Sequence, residues 1–190
     1  VTEEAPSAVD VPPVPELPGL PWQLPTHCKT YRWDVKHGAD PYAQYVPLYM
    51  HVNIAIGELQ PFHLPHDPMT RPDWRIPPFE TTLWQVTGTV NGIGPPGQDG
   101  DLTFALADAT GTIHCECPSL ECSKPGTIWY ESFVAARAAT EALQAALHAD
   151  GKPHKVTLNG PGFWDMYHFT PTHDPREIHP VLWLYDHGPA

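Results

Sequence analysis

Between Trp84 and Asp186 the hydrophobic pattern changes from strand-like to helix-like once and then back. Trp84, Val86, Gly88 and Val90 alternate with Gln85, Thr87 and Thr89, the period of a half-buried strand. Gly92 to Gly100 holds Gly94-Pro95-Pro96-Gly97 and Asp99-Gly100, which reads as a turn. Leu102, Phe104 and Leu106 mark a second strand. Asp108 to Gly111 makes a tight hairpin, and Thr112 to Cys117 forms a third strand with Ile113, Cys115 and Cys117 on one face. From Trp129 to Ala149 the period lengthens: Phe133, Ala136, Thr140, Leu143 and Leu147 recur at three and four residue steps, and Gly151 supplies a stop. Lys155 to Asn159 is a fourth strand and Pro180 to Tyr185 a fifth. The order β-β-β-α-β-β is that of a mainly β, five-stranded Greek-key barrel of the OB type, with its helix between strands three and four.

The first half of the chain carries a weaker pattern. Residues 1–25 are acidic, rich in proline and without periodicity, as in Val11-Pro12-Pro13-Val14-Pro15, and predict an extended arm. Such an arm is either a disordered tether or a strap that orders along a neighbouring subunit, with Leu17, Leu20, Trp22 and Leu24 as its apolar anchors. Residues 26–80 alternate short apolar runs with Pro and His and are expected to wrap the barrel, residues 81–190. Tyr49 to Leu59 is the best strand candidate there, with Gly57 at its end.

Charge narrows the partners. With 10 Lys and Arg against 22 Asp and Glu, the net charge of −12 repels phosphate backbones, and no basic stripe interrupts it, so nucleic acid is not the expected partner. No run of eighteen apolar residues exists to form a helical membrane span. The 25 prolines are roughly two and a half times average usage. The start at Val1 has neither the basic nor the apolar part of a signal peptide, and fits either a processed mature protein or a non-standard start codon.

Four cysteines and twelve histidines carry the candidate chemistry. Cys28 stands alone, whereas Cys115, Cys117 and Cys122 fall within eight residues. Cys115 and Cys117 point to one face of a strand but lie too far apart to bridge each other, so each needs another partner, stays a buried thiol, or joins a four-cysteine zinc site. The densest imidazole and carboxylate cluster is Asp165, His168, His173, Asp174, Glu177 and His179. Antiparallel pairing of the strand ending near Asp165 with the segment before Pro180 brings Asp165, His168, Glu177 and His179 together. That set can lock a loop by hydrogen bonding, hold zinc, manganese or iron, or perform acid–base chemistry. His51, His63, His66 and Asp67 form a second, looser group, and the seven tryptophans are core residues or a stacking groove. Signatures of serine nucleophiles, phosphate loops, dinucleotide binding, zinc proteases and haem attachment are missing.

Gly100-Asp101-Leu102 through Asp108, Glu116-Cys117-Pro118 with Cys122, Val156-Thr157, Phe163-Trp164-Asp165, His168 and Glu177-Ile178-His179-Pro180-Val181 form a recognisable series. It resembles a group of mostly uncharacterised bacterial OB-like domains with the pattern V-T-G-x-x-F-x-D-x-x-H … E-[IL]-H-P-V, often found in exported proteins. The resemblance implies a fold and an exported location; the Cys115-x-Cys117 pair and the Pro-rich first half depart from it. The sequence thus predicts a non-catalytic structural or binding module, a subunit of an extracytoplasmic assembly with the arm strapped onto other protein subunits and no defined cofactor. The competing readings are a metal-dependent hydrolase or its accessory domain, an oligosaccharide or single-strand binder, and a cytoplasmic location.

Overall fold

The computed structural model describes residues 22–29, 31–63, 74–165 and 174–190. Seven strands form one sheet: β1 His51–Asn53, β2 Leu83–Val90, β3 Leu102–Asp108, β4 Gly111–Cys117, β5 His154–Trp164, β6 Arg176–Ile178 and β7 Trp183–Pro189. Among the described residues the α-helices are α1, Trp33–Lys36, and α2, Tyr130–Asp150, which lies between β4 and β5 in the chain.

Five strands close on themselves in the order β2-β3-β4-β6-β5, and the β2–β5 pairing completes the barrel. The closing ladder is long, running from Leu83 opposite Pro161 to Val90 opposite His154. The β3–β4 hairpin pairs Leu102 with Cys117 at one end and Asp108 with Gly111 at the other, the register set by Asp108, whose carboxylate accepts from the Thr110 and Gly111 amides. β1 and β7 lie outside the barrel, β1 parallel to β2 and β7 antiparallel to β5.

Three segments depart from the hydrophobic pattern. The expected strand Tyr49–Leu59 shrinks to β1, and Ile56–Leu59 is a 3-10 turn. Its amides are taken by side chains: Asp108 accepts from Ile56 and Thr110 from Gly57, so no ladder forms. The fourth barrel strand continues past Asn159 to Trp164, because Gly160 and Gly162 allow close approach. A Cβ on Gly162 would lie 2.7 Å from the Phe79 ring. The expected fifth barrel strand, Pro180 to Tyr185, does not close the barrel: that place is taken by a short strand ahead of it, and the expected segment forms an outer strand beginning at Trp183. Arg176–Ile178 closes the barrel between β4 and β5, and after Pro180, which has no amide hydrogen, the chain moves to the free side of β5 and forms β7.

The helix follows its pattern closely. α2 buries Phe133, Ala136, Thr140, Leu143 and Leu147, and Gly151 caps it in the left-handed conformation, its amide donating to the Leu147 carbonyl. Ala136, Leu143 and Leu147 join the barrel core formed by Val86, Leu106, Leu158 and Ile178. A second apolar cluster, with Ala43, Val46, Leu83, Trp129, Phe133 and Leu182, packs residues 43–48 against the outside of the barrel.

Candidate functional site

Strand alternation decides what the barrel turns outward. Cys115, Cys117 and Ile178 fill the core, so Glu116 of β4, Glu177 of β6 and Phe163 of β5 face the other way. That outer surface is covered by α1, which leaves Glu177 and His179 buried and Glu116 partly covered, its side chain 18% exposed. Arg32, the residue before α1, has a positive φ of 50°, and its guanidinium lies 4.9 Å from the centroid of the Phe163 ring. Lys36, one turn on, places Nζ 5.1 Å from the same ring.

Two charge systems result. In the first, Arg32 donates two hydrogen bonds of 2.7 Å to the two oxygens of Glu80. Glu80 also accepts from the Ile76 and Trp164 amides. Arg75 beside it donates to Asp40 at 2.8 Å and to the Val35 carbonyl at 2.6 Å. In the second, the fully buried His179 ring has Nδ1 2.8 Å from Glu116 and 3.1 Å from Glu177, and Nε2 3.6 Å from Asp101. Lys36 Nζ stands 3.6 Å from Glu116 and 3.8 Å from Asp165. His37, its Nδ1 3.0 Å from the Ser123 hydroxyl, lies edge-on to His179.

Burial and proximity set the protonation states. Burial and the Lys36 charge lower the basicity of His179, but Glu116 and Glu177 outweigh them and push its pKa up to about 9. Burial also opposes charge on Lys36, yet Glu177, Glu116, Asp165 and Asp101 together hold it above the usual lysine range. Burial, then the neighbouring Glu116 charge, pushes Glu177 up to about 7. Burial pushes Asp101 to about 6 against the opposing pull of His179. Glu116 falls well below the usual carboxylate range despite burial, because His179 and Lys36 both attend it. The surroundings therefore favour the charged forms of Lys36, His179 and Glu116 and disfavour charge on Glu177 and Asp101. A charged His179 ring has no lone pair for a metal. Deprotonated, it would offer one ligand atom beside Asp101 and Glu116, the three within 4.8 Å of one another.

Of the predicted quartet, Glu177 and His179 adjoin each other, Asp165 joins them through Lys36, and His168 lies outside the described residues. Lys36, Asp101, Glu116, Arg32 and Glu80 were not among the predicted site residues. Glu116 had a readable signal, since it faces away from its core neighbours Cys115 and Cys117. Arg32 and Lys36 had none, because nothing local brings residues of the wrapping segment to β6. The four cysteines do not converge: Cys28 and Cys122 form a disulfide, while Cys115 and Cys117 are buried free thiols of the barrel core, with burial raising both pKa values. Trp22 stacks on Trp33 of the same chain at 5.7 Å, Leu24 is half-buried, and Leu17 and Leu20 lie outside the described residues. His51 and His63 are exposed and separate from the network, and His66 and Asp67 also fall outside the described residues.

Fold and site together define a closed five-stranded β-barrel carrying a largely buried network of acids, imidazole and lysine under a clasp formed by residues 31–48. Comparison with protein-family models and with curated protein sequences finds no match.

Proposed function

We propose that this chain is a non-catalytic OB-like module of an extracytoplasmic protein assembly. The barrel acts as scaffold and the buried network as the brace that fastens residues 31–48 to it. Support for the OB-like assignment comes from the strand order β2-β3-β4-β6-β5 with its parallel β4–β6 pair and the helix between β4 and β5. One observation carries the functional reading: Asp165 and Glu177, the two acids of the predicted quartet, are buried and face internal cations, Lys36 and His179 respectively. Buried counter-charges of this kind serve registry between elements, although His179 Nε2 and Asp101 Oδ2, 3.6 Å apart, make no hydrogen bond.

A buried disulfide between residues 94 positions apart, and no described helix long and apolar enough to cross a membrane, are compatible with an oxidising compartment. In the proposed assembly, residues 1–25 strap onto neighbouring subunits. The metal-dependent reading is tested by elemental analysis together with thermal unfolding in chelator. The module reading expects no stoichiometric transition metal and an unchanged midpoint; a bound metal whose removal lowers the midpoint overturns it. Limited proteolysis tests the strap, which requires residues 1–25 to be cut more slowly in the assembly than in the isolated chain.

A further inference from the structure

A second surface of the barrel differs from the ionic network in every respect. At one level of the sheet four strands align side by side, with Asn53 opposite Gln85, Gln85 opposite Asn159, and Asn159 opposite Trp183. At the next level Thr87 pairs with Thr157 and Thr157 with Tyr185. These side chains point away from the core, since the alternate residues Trp84, Val86, Leu158 and Leu184 are buried within it. The Trp183 and Tyr185 rings lie nearly parallel, 10° apart in plane, and stay 43% and 54% exposed. Gln85 donates to Asn53, and the Thr87 and Thr157 hydroxyls share a 2.8 Å hydrogen bond.

At the Trp183 end this face dips into a cleft of about 480 Å³ between the sheet, α2 and the segment before β1. Leu48, Leu83 and Leu182 supply its apolar surface, and Trp183 stands at its side. Around them the His51 ring, the Ser132 hydroxyl and the Asn159 carboxamide have no side-chain hydrogen-bond partner among the described residues. The lining contains no Asp, Glu, Lys or Arg, although more than one residue in six of the chain is of these types (17%).

The geometry points to this cleft and the adjoining Trp183–Tyr185 strip as the binding site for an uncharged oligosaccharide. This goes beyond the scaffold role proposed above by giving the non-catalytic module a ligand of its own. The chemistry decides between ligand classes. An anion would find no cation in the cleft and a net charge of −12 around it, and a cation would find no carboxylate in the lining. A wholly apolar ligand would leave His51, Ser132 and Asn159 without water or partner. A pyranose ring has an apolar C–H face for the indole and hydroxyls that both donate and accept, which matches amide, hydroxyl and imidazole groups. An extended chain of such rings also fits a flat strip that continues from Trp183 to Tyr185.

Titration calorimetry of the full chain with neutral hexasaccharides built from glucose, mannose or N-acetylglucosamine, and with an acidic oligouronide, tests the site. Saturable binding of at least one neutral chain is expected, with a Kd on the order of 1 mM or tighter, and none of the acidic one. Trp183→Ala should weaken it by about tenfold or more, and Asn159→Ala by a smaller factor. Far-UV circular dichroism and the unfolding midpoint of both variants should match the parent, because the altered side chains are not core residues. No saturable neutral binding, equal affinity in folded Trp183→Ala, or preference for the acidic chain overturns the inference and leaves the module reading standing. Release of reducing ends from a bound glycan would instead sink the non-catalytic reading while leaving the cleft assignment in place.

Discussion

The two outward surfaces of this barrel use opposite chemistry. Under α1, four carboxylates, a histidine and a lysine are packed together and shielded, so their charges act on each other. Across β1, β2, β5 and β7 the side chains at the two aligned levels are uncharged, aromatic or amide-bearing, and open to solvent. The charged cluster resembles a site by residue type, whereas the uncharged face resembles one by accessibility. Titratable groups concentrated in one place indicate a ligand only when something outside the protein can reach them.

The contrast predicts that substitutions under α1 act on stability and those on the open face do not. The largest loss is expected for Arg32→Ala, which strands Glu80 without its bidentate partner at a site where both side chains are buried. Urea unfolding should register about 3–5 kcal/mol, and a paired Arg32→Met, Glu80→Leu replacement should recover much of it. A single variant indistinguishable from the parent would mean that the clasp contributes nothing. Cys28→Ser with Cys122→Ser should cost roughly 2–5 kcal/mol by freeing a 94-position separation in the unfolded chain, measured against the parent under non-reducing conditions.

Next comes Glu177→Gln, read as a pH profile. Glu177 is raised from 4.5 to about 7 in the folded state, so the folded protein holds the proton more tightly and the parent loses stability as pH climbs through that window. The Gln variant lacks this term, and its stability relative to the parent should rise between pH 4.5 and 7 by on the order of 2 kcal/mol. A constant difference across the window would place Glu177 outside the coupled system. A smaller effect is expected at His154, which bridges Asp150 at the end of α2 and Asp186 of β7. Those hydrogen bonds raise its pKa, so its contribution is complete below the unfolded value of 6.5 and fades as pH rises through the folded one. His154→Ala should therefore be more costly at pH 6 than at pH 9 in thermal melts. Smallest of all, Trp183→Ala should leave the unfolding free energy within about 0.5 kcal/mol of the parent; a larger loss would make Trp183 a structural residue and blur the division between the faces.

The parts of the fold visible in advance were those with a local signal. The stripe from Phe133 to Leu147 is an angular pattern carried by consecutive turns, and Gly151 stops it for a backbone reason of its own. The Asp108 hairpin and the alternation of Ile113, Cys115 and Cys117 are equally local. The barrel-closing strand Arg176–Ile178 was hidden, because it is only three residues long and its place between β4 and β5 depends on strands far away in sequence. The strand expected at Tyr49–Leu59 failed for a related reason: Asp108 and Thr110, more than fifty positions on, hold the Ile56 and Gly57 amides. For the candidate site, Asp165, Glu177 and His179 stood out by density, but their cationic partners came from α1 and left no mark near them.

Sequence alone determined the strand and helix periods, the net acidic charge and the shared strand face of Cys115 and Cys117, which follow from residue types and their spacing along the backbone. Tertiary structure decided which distant groups would meet: Cys28 with Cys122, Lys36 with Glu116 and Asp165, and Asn53 with Gln85, Asn159 and Trp183 in one row. The physical reason is that burial, not proximity in the chain, fixes whether a carboxylate is a ligand-seeking group or half of an internal ion pair, and burial exists only once the clasp has closed on the barrel.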